Sequence, residues 1–442
     1  MIVRRAPPHK PQDVQPVAPL LAPKRRASRL FSDLIRQSIA PEAVTPAEEQ
    51  GLRDYIHHVV ETKMQGLREA LGAGDHARAA NIAEDITRQR SVRLWATYQR
   101  WKRIDLGERL SLLDDIDPYA PPHRIRWKRR RKRSGGFRYT VVYSKIDRAR
   151  QDVMIAALAG SAVDLPTVSW TKACELFAEA VNDAPAASHC ATLDVTDHYG
   201  SVSHAYVLAL VPHVPAAALR ATLLTAYPRA DLLGGLEGEG DQQENGSHEM
   251  PNAIHVYGDR YRPAGARGHE PQILEVRGTP LVGLPQGNAL SGLFAEAALR
   301  EAMTALPFWV RWGRYADDLW IIVRDAEETF RAVEATRQVL LEARGGPFQC
   351  RPTLQGHLDC VSYLGYRFHK RRDGVDAEPD PVRREHFELR LQAKLLHGED
   401  APAALNSYLA AFYLWRGPDR DEWARAWSDL VASNRMPFRD AA

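Results

Sequence analysis

Nowhere in its 442 residues does the chain string together the roughly 18 apolar residues that a membrane-spanning helix needs. Cysteine is scarce as well: the four present, Cys174, Cys190, Cys350 and Cys360, show no C-x-x-C spacing. That leaves neither a zinc ribbon nor a disulfide framework to be read, and it fits a reducing, cytoplasmic setting. The opening MIVRRAPPHKPQDVQPVAPLLAPKRRASRLF is basic and Pro-rich, without the compact apolar stretch and cleavage site of a secretory signal. It has a faint likeness to a transit peptide, but a flexible basic arm over residues 1–27 is the expectation. No internal repeat is visible. The last absence is local: RIRWKRRRKRSGGFR, residues 124–138, contains no acid.

What is present is ordinary in bulk. An apolar content of 44% and a charged content of 26% describe a globular chain long enough for two or three domains with a substantial core. The net charge is only +3, so the basic run stands out by its clustering. Like charges packed so densely repel unless they meet an anion, and phosphate is the usual one; a solvated loop or a localisation signal is the plainer alternative. Helical periodicity dominates residues 28–116, through Leu30, Phe31 and Leu34 and then Leu52, Tyr55, Ile56, Val59 and Val60. A strand over Phe137 to Tyr143 follows Gly135-Gly136, where a hairpin is expected. A Gly-rich acidic stretch without apolar period opens a surface insertion expected over about 230–272.

The chemistry is concentrated in RYADDLWIIV, residues 314–323, where Asp317 and Asp318 stand side by side between apolar, β-prone flanks. At about 4 Å and an effective dielectric near 20, two such carboxylates repel by on the order of 4 kcal/mol. A hard divalent cation, Mg²⁺ or Mn²⁺, relieves that repulsion. One more carboxylate from another strand would complete a two-metal site for phosphoryl transfer. LDVTDHYGSV offers Asp194 at the end of an apolar strand. Each signal alone is weak, since an Asp-Asp turn or an Asp at a strand end is usually a turn-former. Together with LPQGNALS, a Gln-Gly turn entering a helix, they are far more specific.

This set resembles the reverse transcriptase family, in the family's order, from about residue 124 to 368. RYADDL is similar to its Tyr-x-Asp-Asp motif, LDVTDHYGSV to the motif of the first metal-binding aspartate, and LPQGNALS to its Gln-Gly motif. KRSGGFRYTVV resembles the fingers segment that holds the triphosphate, and SYLGYRF the Leu-Gly primer grip. The resemblance implies an α+β right-hand polymerase fold. Its parts would be the arm (1–27), a helical extension (28–116), fingers (117–188), a palm (189–372) and a thumb-like helical region (373–442). It makes Asp194, Asp317 and Asp318 the catalytic ligands of two Mg²⁺ ions, with the carbonyl of Val195 as an extra ligand. Tyr199 would stack beneath the sugar and reject ribonucleotides. Gln286 and Gly287 would line the nucleotide pocket, Arg138 with Lys132 or Arg131 would neutralise the triphosphate, and Leu364 and Gly365 would grip the primer. Asp197 is either a cap near the phosphates or a plain turn residue.

The implied activity is RNA-directed DNA synthesis from deoxynucleoside triphosphates on an RNA template, giving a DNA product. The implied setting is bacterial antiphage defence with a dedicated non-coding RNA, as a ribonucleoprotein or homo-oligomer and without a membrane. Template-independent or protein-primed synthesis at the same site, a group II intron-like mobile-element enzyme, and a non-catalytic RNA scaffold are the alternatives. Some features depart from the family. FQCRPTLQGHLDCV lacks the lysine that some members carry before the primer grip, Arg351 being nearest. The Val-Thr-Gly signature of retron polymerases is absent, and after Leu395 there is room for a small thumb only.

Overall fold

The computed structural model describes residues 18–120, 125–131, 137–164, 168–224, 283–372, 374–397 and 399–433. Lys132 and the insertion expected over about 230–272 lie outside the described residues.

Helices come first. α1 (Ala18–Ile35) begins inside the stretch expected as an arm. Burial of Ala27 and Leu34 against the next helix anchors it, and the helix runs on toward its N-terminus from that contact. α2 (Pro46–Gly72) starts at a reciprocal capping box between Thr45 and Glu48, with Pro46 in the first turn. Its Leu52, Ile56, Val60 and Leu67 recur at helical spacing and are fully buried. α3 (His76–Arg88), α4 (Arg90–Arg100) and α5 (Leu106–Ser111) complete the bundle.

The bundle is not a free-standing unit. α6 (Lys145–Ala157) puts Ala149, Val153, Ala156 and Ala157 into the core formed by α2, α3 and α4. Arg100 closes a two-pronged ion pair with Asp152, and Arg150 donates to the carbonyl oxygen of Asp115 at 2.7 and 2.9 Å. The opposite side of α6 gives Met154 to the central core. Small side chains allow this close sandwiching, so α6 couples the bundle to the sheet.

Ahead of α6, β1 (Ile125–Arg131) and β2 (Phe137–Tyr143) pair antiparallel, Arg130 opposite Arg138 and Arg131 opposite Phe137. Residues 125–131 of the acid-free run are therefore one strand of a two-stranded ribbon.

The central sheet is antiparallel throughout, in the order β4-β5-β3-β6, from β3 (His189–Thr196), β4 (Arg311–Tyr315), β5 (Asp318–Val323) and β6 (Gln349–His357). Alternation sends Ala191, Leu193, Val195, Leu319, Ile321 and Val323 to one face. There they meet α8 (His204–Leu210), α9 (Ala216–Thr222), α10 (Ala289–Thr304) and α11 (Ala326–Leu341). Cys190, Trp320 and Ile322 face the other way, onto Phe177 of α7 (Trp170–Asp183).

That second face is shared with a three-stranded sheet, β7 (Cys360–Tyr363), β8 (Tyr366–Arg371) and β9 (Gly374–Pro379). Three C-terminal helices pack beyond it: α12 (Pro381–Leu396), α13 (Ala401–Ala411) and α14 (Pro418–Ser433). Lys370 ties the small sheet to α7 by donating to the carbonyls of Val181, Asn182 and Ala184 at the helix end, at 2.6, 2.9 and 2.6 Å. The architecture is thus mixed α+β. Among the described residues, no helix is long and apolar enough to cross a membrane.

Candidate functional site

Both faces of the central sheet are buried along most of their length, but at one end of the second face the cover stops. β3 and β5 pair there with Asp194 directly opposite Asp318. The register extends outward on both sides, to Tyr315 on β4 and Arg351 on β6. Direct cross-strand partners start from Cβ atoms about 5 Å apart on the same face. Asp194 and Asp318 are both exposed, although Leu193 and Leu319 beside them are buried. More than a hundred residues apart in sequence, the two carboxylates share one patch of surface.

Ala316 and Asp317 form the two-residue loop between β4 and β5, and Ala316 takes a positive φ of 52°. Three successive carbonyls of this turn are each held by a different part of the fold. Arg314 donates to Ala316 O at 3.2 Å, the Val195 N–H to Asp317 O at 3.0 Å, and the Tyr363 hydroxyl to Asp318 O at 3.0 Å. The carboxylates project from a backbone that has little freedom to yield.

Crowding on the inner side of Asp318, open though its other side is to solvent, pushes its carboxyl from 3.8 up to about 6. Desolvation is the main cause, the negative charges of Asp317 and Asp194 add to it, and Arg383 opposes it. Three carboxylates gathered at one end of the sheet, with no thiolate or imidazole among them, are the kind of oxygen donors that a hard divalent cation prefers. Among the described residues, no three such side chains stand close enough to make a ready-built cage.

Tyr199 lies in the turn that leaves β3. Asp197 enters that turn at φ 48°, and its carbonyl accepts from the Ser201 N–H and hydroxyl, each at 3.0 Å, the geometry of a turn residue. Tyr199 is half-buried, its carbonyl accepting from Leu284 N at 2.8 Å. The neighbouring His198 is buried, with Nε2 bonded to Ala295 O at 3.0 Å and its ring edge-on to Tyr199 and Phe348. Burial holds its pKa below the usual histidine range.

The Pro-Gln-Gly turn is pinned between this loop and β2. Gln286 O accepts from Val141 N at 2.6 Å, and Gly287 adopts φ 107°. A Cβ at Gly287 would stand 2.2 Å from Val141 O, so only glycine lets the strand approach so closely. Asn288 fixes the start of α10, accepting from Leu290 N at 2.9 Å and donating to Thr222 O at 2.9 Å. Arg131 and Arg138 belong to the same ribbon, but the described structure does not extend to their side chains.

Leu364 and Gly365, at φ 49° and 84°, are the two loop residues of the β7–β8 hairpin. Two positive φ values match the twist of a tight hairpin, and glycine suits the second. Behind this turn lies a cleft of about 420 Å³ lined by Tyr363, Leu364, Gly365, Asp380, Arg383 and His386, among others. Arg383 reaches over Gly365, where a Cβ would meet its Nε at 2.4 Å, and it is the cation that acts on Asp318.

Sequence reasoning missed Arg383, Tyr363, Glu296 and Arg314 as neighbours of the aspartates. Two of them left a trace: Arg314 directly precedes the Tyr-x-Asp-Asp motif, and Glu296 is an acid inside the otherwise apolar start of α10. Arg351, in the sequence only the residue nearest to where some family members carry a lysine, stands directly opposite Asp194. No protein-family model and no curated protein matches this chain.

Proposed function

We propose that the protein is an RNA-directed DNA polymerase whose centre is the Asp194, Asp317 and Asp318 patch. The observation that carries the reading is the antiparallel register that sets Asp194 opposite Asp318 at the open end of the sheet. The pinned Pro-Gln-Gly turn, the half-buried Tyr199 and the tight Leu364-Gly365 hairpin on the neighbouring elements support it. In this reading the central sheet is the palm, the β1–β2 ribbon and α6 belong to the fingers, and α12 to α14 form a small thumb.

The three aspartates and the Val195 carbonyl would hold two divalent cations, Mg²⁺ or Mn²⁺. When bound, these supply charge neutralisation for in-line attack of a primer hydroxyl on the α-phosphate and for departure of pyrophosphate. The chain's own groups supply position. Gly287 brings backbone to the edge of the nascent base pair, Gln286 lines the pocket, and Tyr199 forms the floor beneath the sugar. α12 adds a nucleic-acid face: Val382, Leu389 and Leu396 are 58%, 55% and 60% exposed at seven-residue intervals, with exposed Arg383 and Arg390 on one flank. An exposed apolar ridge beside cations suits a groove bordered by phosphates.

The test is deoxynucleotide incorporation on a primed RNA template, with a primed DNA template and a template-free primer as comparisons. Extension that requires the RNA template supports the assignment. No extension on any template with Mg²⁺ or Mn²⁺ overturns it, and extension without a template moves the reading to template-independent synthesis. Tyr199→Val is expected to relax discrimination against ribonucleotides by about tenfold or more, since a steric contact with the 2′-hydroxyl is removed. The ratio of kcat/KM for a deoxynucleotide to that for its ribonucleotide checks it. An unchanged ratio removes Tyr199 from the sugar pocket.

A further inference from the structure

The turn that carries Asp317 is braced from behind. Register puts Arg314 opposite Leu319, so its side chain leaves the sheet on the face away from Asp318 and cannot reach a nucleotide lying on the carboxylates. Its side chain is 7% exposed. The guanidinium grips Glu296 of α10 with both prongs, one at 2.8 Å, donates to the Glu296 carbonyl at 3.1 Å and donates to Ala316 O at 3.2 Å.

The preceding carbonyl of α10, Ala295 O, is bound by His198, next to Tyr199. Two consecutive carbonyls of one helix therefore hold the loop of the sugar-side aromatic and the hairpin of the carboxylates. The same helix begins at the Pro-Gln-Gly turn. A buried ion pair of this kind adds little net stability over apolar packing, because desolvating both charges offsets their attraction. A planar five-donor fork does, however, fix geometry in a way that a flexible ammonium does not.

We infer that Arg314, locked to Glu296, is a positioning residue that sets where the Asp317 carboxylate stands, referencing it to the helix that bears the nucleotide turn. The inference rests on the reading of the aspartates as the polymerase centre. It differs from charge screening, since a lysine at 314 would keep the charge and lose the fork. It differs from a purely structural role, since the damage should fall on the metal-dependent step and not on nucleotide affinity.

Arg314→Lys, Glu296→Gln and the exchanged pair Glu296→Arg with Arg314→Glu are compared with the unchanged protein in steady-state primer extension under Mg²⁺ titration. Arg314→Lys and Glu296→Gln are expected to lower kcat on the order of a hundredfold, as a displacement of about 1 Å at a reacting centre does. The half-saturating Mg²⁺ concentration should rise about tenfold while the KM for deoxynucleotide stays within about twofold. The exchanged pair keeps the ion pair but puts an acceptor where Ala316 O is held by a donor, so it should stay as slow as the single variants. A folded exchanged pair that recovers kcat shows that charge pairing alone suffices and overturns the inference.

Arg314→Lys decides the matter where the exchanged pair does not fold. Normal kcat and Mg²⁺ dependence in Arg314→Lys overturn the inference, as does a loss that disappears on assaying well below its melting temperature. If the unchanged protein extends no primer, the polymerase reading fails instead. The brace is then read from Mg²⁺-induced thermal stabilisation, which should weaken in Arg314→Lys, and equal stabilisation overturns it.

Discussion

Replacing any one of Asp194, Asp317 or Asp318 by asparagine is expected to cut primer extension by on the order of 10³-fold or more, about 4 kcal/mol of transition-state stabilisation. Removing a single preorganised neutral donor from a transition-state site already costs about 10²- to 10³-fold, and a carboxylate that holds a divalent cation carries more charge than such a donor. The effect is expected to be near-complete at each position, because the three side chains act as one donor set and the loss of one undoes the others. Folding should not account for it. Asp194 and Asp318 are exposed, and the charges of Asp317 and Asp194 add to the cost of ionising Asp318. An amide relieves that repulsion, so the metal-free variants should melt at the same temperature as the unchanged chain or slightly above it. Single-turnover extension paired with a thermal melt checks both halves. A variant that keeps extension within tenfold removes that residue from the centre, and one that melts far lower marks a structural role.

How much of this was legible in the sequence differs from residue to residue. β3 and β5 announce themselves, since LDV closes an apolar run with a carboxylate and DLWIIV opens one with a carboxylate. Their mutual register could not be read, because pairing across more than a hundred residues is set by packing on both faces and not by local pattern. In the Leu364-Gly365 turn, local pattern showed only a strand-like SYLGYRF, since leucine rarely takes a positive φ, and the hairpin was legible only through the resemblance to the primer grip. β1 was legible only as the first arm of the hairpin expected at Gly135-Gly136: arginine and lysine carry little strand signal of their own, and pairing with β2 imposes the strand conformation. The start of α1 was hidden by its prolines and basic residues, while contact with α2 decides it. The Arg314–Glu296 lock is long-range and polar, the kind of contact that periodicity cannot reveal. The residues that do the expected chemistry stood out locally, whereas those that hold them in place did not.

In the metal-free protein, Asp318 is expected to withdraw stability as pH rises from about 4 through 6 and to have no further effect above that. This is read as the melting temperature of the unchanged chain against that of Asp318→Asn, because buried His198, His204 and His213 act in the opposite direction over the same range. The sign follows from Asp318, whose carboxyl titrates at about 6 in the fold against an ordinary 3.8. Between those values the folded chain keeps a proton that the unfolded chain has released, so raising the pH favours unfolding across that window. Solvent on the open side of Asp318 screens the charges, which limits the change to about 1 kcal/mol. Mg²⁺ should reverse the trend. A cation competes with the proton for the same oxygens, so below pH 6 the apparent Mg²⁺ affinity should drop about tenfold per pH unit, and above it the affinity should be flat. At a concentration a hundred times the dissociation constant, bound Mg²⁺ adds about 2.7 kcal/mol to the folded state. Melting curves at pH 5, 6 and 7 with and without Mg²⁺ read both effects. Asp318→Asn should remove that component of the pH dependence and most of the Mg²⁺ stabilisation together. If the melting temperatures of Asp318→Asn and the unchanged chain differ by the same amount at pH 5, 6 and 7, the titrating group lies elsewhere; if Mg²⁺ leaves the melting temperature unchanged at pH 7, the carboxylate patch is not its site.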